Sequence, residues 1–333
     1  MDHSKRKHTQ GQLKKARESI KPDACLLCTR PNITLCHSHT VPQMVLKNIC
    51  DNGRLYQSSK ITETSNYLDI TKGIKTCGTF RLLCSDCDQR YFKDYESLDS
   101  IINPPSDIML AEIALKNSLW TYDRQREYKA LLKQIHRYQL PDDYVANYDN
   151  VDLNIRDAID DIDFYKTIIE KEEVDGFYLL TRHVLDYTVP IATQSSVVLD
   201  RDIEGKAVNV ITDFPIIRDK LQAMHLLVFP LNGVSVILAF YHKRDRKYRD
   251  LRHQFNRISS EIQLAFINYM IFAYTENYFF APSVSQELLN NPVLIELSKQ
   301  VYPQSLLDRQ EVSHQSISMF DIPNFLSKDY ALY

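Results

Sequence analysis

The sequence predicts an α+β protein in which a small cysteine-rich zinc module precedes a larger domain of helices and antiparallel sheet. Three observations carry this. Two CxxC pairs, "CLLC" and "CSDC", stand in the first third of the chain. Apolar residues step by three or four from Ile108 and again from Leu251, as the buried stripe of a helix does. Between those helices, "MHLLVFPLNGVSVILAFYH" sets Asn232 and Gly233 between two apolar runs, the pattern of a tight hairpin.

The composition is that of an ordinary globular protein. The 333 residues are 44% hydrophobic and 25% charged, with a net charge of −3, enough for two or three folding units. A net negative chain does not coat nucleic acid over its whole surface, so such contacts must come from local basic patches. No uncharged apolar run reaches membrane-spanning length and no secretory signal core is present, which predicts a cytoplasmic protein without membrane contact.

Residues 1–22 read as a basic tail, in which Lys5, Arg6, Lys7, Lys14, Lys15, Arg17 and Lys21 face only Asp2 and Glu18. A second basic run, "HKRDRKYRDLRHQ", starts at His242. Each is a solvated face or a phosphate-binding surface; charge alone does not choose.

The zinc module is placed at residues 23–103. In a reducing compartment, clustered cysteines point to a metal rather than to disulfides. Cys25 with Cys28, and Cys84 with Cys87, have the spacing that lets two thiolates on one turn reach a tetrahedral ion. Four thiolates leave no open coordination position, so the ion is expected to be structural Zn²⁺. Cys50 and Cys77 read as small buried hydrophobes. Cys36 is the reserve ligand.

Between the knuckles lies "CHSHTVPQMVLKN", from Cys36 to Asn48. The order CxxC, then xHxxP, then LCxxC resembles zinc-stapled HNH (ββα-metal) endonucleases, with "SHTVPQMVLK" similar to the first half of their motif and "RLLCSDCDQRYF" to the second. The resemblance implies an HNH-like treble-clef module in which His39 is the general base and Pro42 turns the chain out of the first strand. It also implies a second, catalytic ion, Mg²⁺, Mn²⁺ or Ni²⁺, held by Asp88 with His37 or Glu96. Lys47 and Arg90 would engage phosphate. A base to activate water and a cation to neutralise growing charge are what phosphodiester hydrolysis needs. Three positions depart from the pattern: Ser38 replaces the usual Asp or His ligand, Thr79 the Asn, and Asp88 the His after the second knuckle.

The stretch also resembles uncharacterised bacterial proteins with SHxxPxxxLK, an LLCxxC knuckle and following Arg, Phe and Glu, matched here by Arg90, Phe92 and Glu96. In that setting Glu96 reads as a salt-bridge partner for the knuckle helix.

Residues 104–333 are expected to form the larger domain. "INPPSD" breaks the chain and offers an N-cap. Ala111, Leu115, Leu119 and Tyr122, then Tyr128, Leu131, Leu132 and Ile135, mark a helix that Pro141 ends. Trp120 reads as packing. The acids of Asp152 to Asp175 read as a solvated helix face. Beyond Gly176, "FYLLTRHVLDYTVPIA" is strand-like, the Asn232-Gly233 hairpin follows, and residues 251–273 are expected as one long helix over the sheet. This half weakly resembles a second uncharacterised family, whose helix carries an Asn at the position of Asn268.

The leading expectation is a metal-dependent HNH-type endonuclease acting on nucleic acid, DNA rather than RNA, with bacterial defence against phage as the setting the resemblance implies. The departures at Ser38 and Thr79 support the alternative, a catalytically inactive zinc scaffold that binds nucleic acid or a partner protein. A partner protein or a second copy of the chain is the other candidate partner, and the sequence leaves open whether a partner subunit completes the site.

Overall fold

Runs of helices and runs of antiparallel strands follow one another in the computed structural model, which describes residues 3–58, 68–69, 72–136, 143–209, 220–299 and 317–332. The α+β class is as the sequence predicts. The chain folds as two compact units that interleave in sequence: residues 1–40, 79–177 and 209–222 make one, and residues 41–78, 178–208 and 223–333 the other. The units are therefore discontinuous, unlike the serial modules expected. No described helix is long and apolar enough to cross a membrane.

The first unit opens with helix α1 (His3–Ser19), where a basic tail was expected. Leu13 and Ala16 are buried, and Arg17 Nε pairs with Glu127 at 2.7 Å; an apolar side at i and i+3 is enough to dock a helix whose other side stays charged. A two-residue ladder joins β1 (Ser38–His39) to β4 (Thr79–Phe80), with His39 opposite Thr79. Helix α3 (Ser85–Tyr91) starts directly after Cys84, and the short α4 (Leu98–Ile102) follows. Ser106 then caps α5 (Asp107–His136), its Oγ accepting from Met109 N at 3.1 Å.

Helix α6 (Asp143–Lys171) returns along α5. Lys129 bonds Asp152, and Gly176 N donates to Asp107 at the far end, so the two run antiparallel. Val151, Ala158, Ile162, Tyr165 and Ile168 are the buried stripe of α6, while Asp160, Asp163 and Glu170 stay exposed, the solvated acidic face expected. Tyr91 Oη donates to Glu170 Oε1, tying α3 to α6. Residues 109–119 of α5 are buried on every side.

The second unit is built on a seven-stranded sheet. Helix α2 (Gln43–Leu46) is followed by β2 (Tyr56–Ser58), β3 (Leu68–Asp69), β5 (Phe177–Leu185), β6 (Ile191–Val197), β7 (Met224–Pro230) and β8 (Ser235–His242). After these come α7 (Arg249–Phe255), α8 (Ser260–Tyr274), β9 (Tyr278–Phe280), α9 (Gln286–Leu289) and α10 (Pro292–Lys299). The strand order is β3-β2-β9-β6-β7-β8-β5. β7 is buried along its whole length and β8 along all but His242, which suits their unbroken apolar runs.

The hairpin forms as expected, antiparallel with Leu227 opposite Leu238. Only Gly233, at φ 77°, takes the positive φ; the pair does not share it. The long helix expected over 251–273 is two helices. Ser259 Oγ accepts from Ile262 N, so an N-cap starts α8 afresh where a continuous helix would leave that hydroxyl without this role. Asn268 is fully buried and braces the C-terminal segment, donating to Pro323 O at 2.9 Å and accepting from Phe325 N at 3.1 Å.

Candidate metal centre and the adjoining polar cluster

The first knuckle is a tight turn. Thr29 N donates to Cys25 O at 2.8 Å, and Cys25 N to Arg30 O at 3.2 Å. Thr29 holds φ 57° and Asn32 φ 55°; for β-branched Thr29 this backbone is costly, and it is what brings Cys28 back over Cys25. The second knuckle is laid against the first by Leu26 N to Leu82 O at 2.9 Å and Cys36 N to Leu83 O at 2.8 Å. Cys84 N donates to Cys25 Sγ at 3.3 Å.

The ligand atoms of Cys25, Cys28, Cys84 and Cys87 all lie within 4.8 Å of one another, and Cys28 Sγ is 3.8 Å from Cys84 Sγ. A tetrahedron of Zn–S bonds near 2.3 Å sets its sulfurs about 3.8 Å apart, so the cluster fits a structural ion such as zinc. Arg30 lies over it, with Nε 3.2 Å from Cys28 Sγ and Nη2 3.3 Å from Cys84 Sγ. The same Nη2 is 2.7 Å from Asp86. Those hydrogen bonds hold the Cys28 thiol down at about 6. Burial, with the neighbouring thiols, pushes Cys87 up.

Cys36 stands outside the cluster, half-buried, its thiol raised to about 11 by burial. Cys77 is buried as expected; Cys50 is only half-buried.

Beside the metal centre is a second cluster that carries its own cation. Lys116, on α5, is 0% exposed. Its Nζ lies 3.0 Å from Ser38 Oγ, 3.0 Å from Asp88 Oδ1 and 3.4 Å from Glu96 Oε1. The Phe92 ring centroid is 3.6 Å away, adding a cation–π contact. Ser38 Oγ also donates to Asp88 Oδ1. Burying an ammonium is tolerable only where opposite charge and hydrogen bonds replace water, and here two carboxylates, a hydroxyl and a ring face do so.

Ser38 and Lys116 do not make a nucleophile and its base. Ser38 is fully buried, and its hydroxyl is committed to Asp88.

The expected site residues separate. Asp88 and Glu96 turn to Lys116. His37 is exposed, and among the described residues the four cysteines are the only group of three or more His, Cys, Asp or Glu that offers atoms to one ion. His39 is half-buried on β1. Arg90 is exposed in the last turn of α3, its guanidinium 5.3 Å from the Tyr91 ring centroid. Lys47 is exposed at the end of α2 and belongs to the second unit.

Sequence reasoning missed Lys116 and Arg30. Lys116 follows Glu112 by four residues, a spacing that reads as a solvated helix pair. The signal was in its surroundings: "IMLAEIALKNSLW" is apolar on too many sides for its charges to reach water. Glu112 does not serve Lys116; its Oε2 accepts from Asp94 N and Tyr95 N, each at 3.0 Å.

Fold and site together define an α+β protein with a four-cysteine cluster shaped for a structural metal ion. Comparison with protein-family models, with curated proteins and with solved structures finds no match to this chain.

Proposed function

We propose that the first unit is a zinc-stapled, HNH-like scaffold that binds nucleic acid without hydrolysing it. The observation that carries this reading is the position of Lys116. Asp88, the strongest ligand the motif offers for a catalytic ion, accepts from the fully buried Lys116 ammonium. A divalent ion at that oxygen would have to lie beside a fixed positive charge already hydrogen-bonded to it, which Coulomb repulsion opposes. The ammonium has no exposure of its own, so it cannot touch a phosphate in the ion's place.

Nucleic acid as the partner is supported by the ladder and helix that follow the knuckle order of the motif, and by exposed Lys14, Lys15, Lys21 and Arg90 on the same unit. Such side chains meet phosphate and release counterions. The endonuclease reading keeps one support, the half-buried His39 on β1.

One experiment separates the two. Purified protein is titrated with labelled duplex at about 50 and 200 mM salt, and incubated with plasmid and Mg²⁺, Mn²⁺ or Ni²⁺ beside His39→Ala. Salt-sensitive binding with intact plasmid in every metal is expected. Cleavage that disappears in a folded, zinc-loaded His39→Ala would replace this reading with the endonuclease, and no binding at the lower salt would remove both.

A further inference from the structure

The second basic run has no part in the scaffold just described. Between Lys243 and Arg257 the chain carries seven Lys or Arg against Asp245 and Asp250, on a protein whose net charge is −3. It folds as the turn that follows β8, a 3-10 turn at Arg246–Tyr248 and helix α7.

Its side chains divide into an anchored set and a free set. Arg252 is fixed: Nε donates to Leu179 O at 3.2 Å, and the guanidinium lies 4.6 Å from the Tyr178 ring centroid. Lys243 Nζ lies 5.2 Å from the same ring. One aromatic side chain on β5 thus gathers two cations of a run that lies far from it in sequence. Arg246, Arg249 and Arg257 are exposed and make no ion pair among the described residues. A surface laid out only for solubility mixes both signs. This run holds seven cations against two acids, one of them paired with Arg244, an excess that costs repulsion unless a polyanion relieves it.

We infer that this face of the second unit is a docking surface for the phosphate backbone of nucleic acid. Five of the seven cations are arginine, whose planar fork suits paired phosphate oxygens. Arg246, Arg249 and Arg257 make the phosphate contacts, and Tyr178 holds Arg252 and Lys243 in place behind them. The inference rests on the nucleic-acid reading of the first unit and extends it to a second surface.

The test measures binding of the full chain to a fluorescent duplex, and to a single strand, across a salt series. The triple variant Arg246→Glu, Arg249→Glu, Arg257→Glu is compared with the neutral triple Arg→Gln and with Lys14→Glu, Lys15→Glu. All five positions are exposed, and thermal melting confirms folding. The expected result for the Gln triple is binding weaker by roughly tenfold or more, with a log–log salt slope shallower by about 2 to 3, near one unit per lost phosphate contact. The Glu triple should be weaker still. Unchanged affinity and slope in both triples, with loss in the Lys14, Lys15 variant, overturns this inference and leaves the scaffold reading standing. A wild-type chain that ignores nucleic acid but binds vesicles rich in anionic lipid overturns both.

Discussion

Two clusters in the same unit meet the same electrostatic problem in opposite ways. The four cysteines bring together thiols whose ionised form needs positive charge, and among the described residues it is the exposed Arg30 that lies at their edge. The oxygen cluster of Ser38, Asp88 and Glu96 is filled from within by Lys116. The first is shaped to take an ion from solution; the second is complete as the chain folds. Ligand chemistry alone does not distinguish a metal site from an ion pair. What the neighbouring helix inserts does.

The comparison breaks first at the thiolates. Removing the metal with a chelator, or Cys84→Ser, should unfold the first unit, because binding free energy at such sites is folding free energy, on the order of 10 kcal/mol or more. Zinc content and thermal unfolding check this. One zinc per chain with loss of the cooperative transition after chelation is expected; an unchanged transition would mean that the knuckles hold without an ion.

The ion pair gives the next largest effect. Asp88→Asn should cost up to about 3 kcal/mol, since it leaves the buried ammonium with Glu96 as its one remaining carboxylate among the described residues. Lys116→Met should cost less, because it removes the charge together with its need for partners. In the double variant the penalties should not add. Denaturant unfolding reads all three. Equal and additive losses would show that Lys116 and Asp88 do not act as a pair, and the contrast between the two clusters would fail.

A third effect is a titration within the same helix. Burial pushes the Glu112 carboxyl up to about 8, although two backbone N–H groups hold it. The folded chain then keeps a proton between about pH 4.5 and pH 8 that the unfolded chain releases. The stability this proton contributes is full below that window and is lost as pH rises through it. Glu112→Gln keeps the acceptor and should flatten this part of the stability profile, read as melting temperature at pH 5 and pH 8. An unaltered profile would move the ionisation elsewhere.

Much of the frame was legible because it is local. A CxxC pair closes its own turn, Ser106 caps its own helix, and the Asn232-Gly233 hairpin pairs neighbouring runs. The break between α7 and α8 was also within reach, since Ser259 and Ser260 interrupt the stripe with cap-forming side chains. The partners of Lys116 were not. Ser38 lies 78 residues before it and Asp88 28, and nothing in the local pattern around any of the three names the other two.

The sequence by itself therefore determined the cysteine knuckles, the strand and helix periodicities and the basic runs, all of which depend on side chains within a turn or two of one another. Only the tertiary structure decided which cation meets Asp88 and which face gathers the second basic run. Both depend on long-range packing: residues 109–119 of α5, buried on every side, turn an ordinary lysine into an internal counterion, and Tyr178 on β5 collects Lys243 and Arg252 from a much later stretch of the chain.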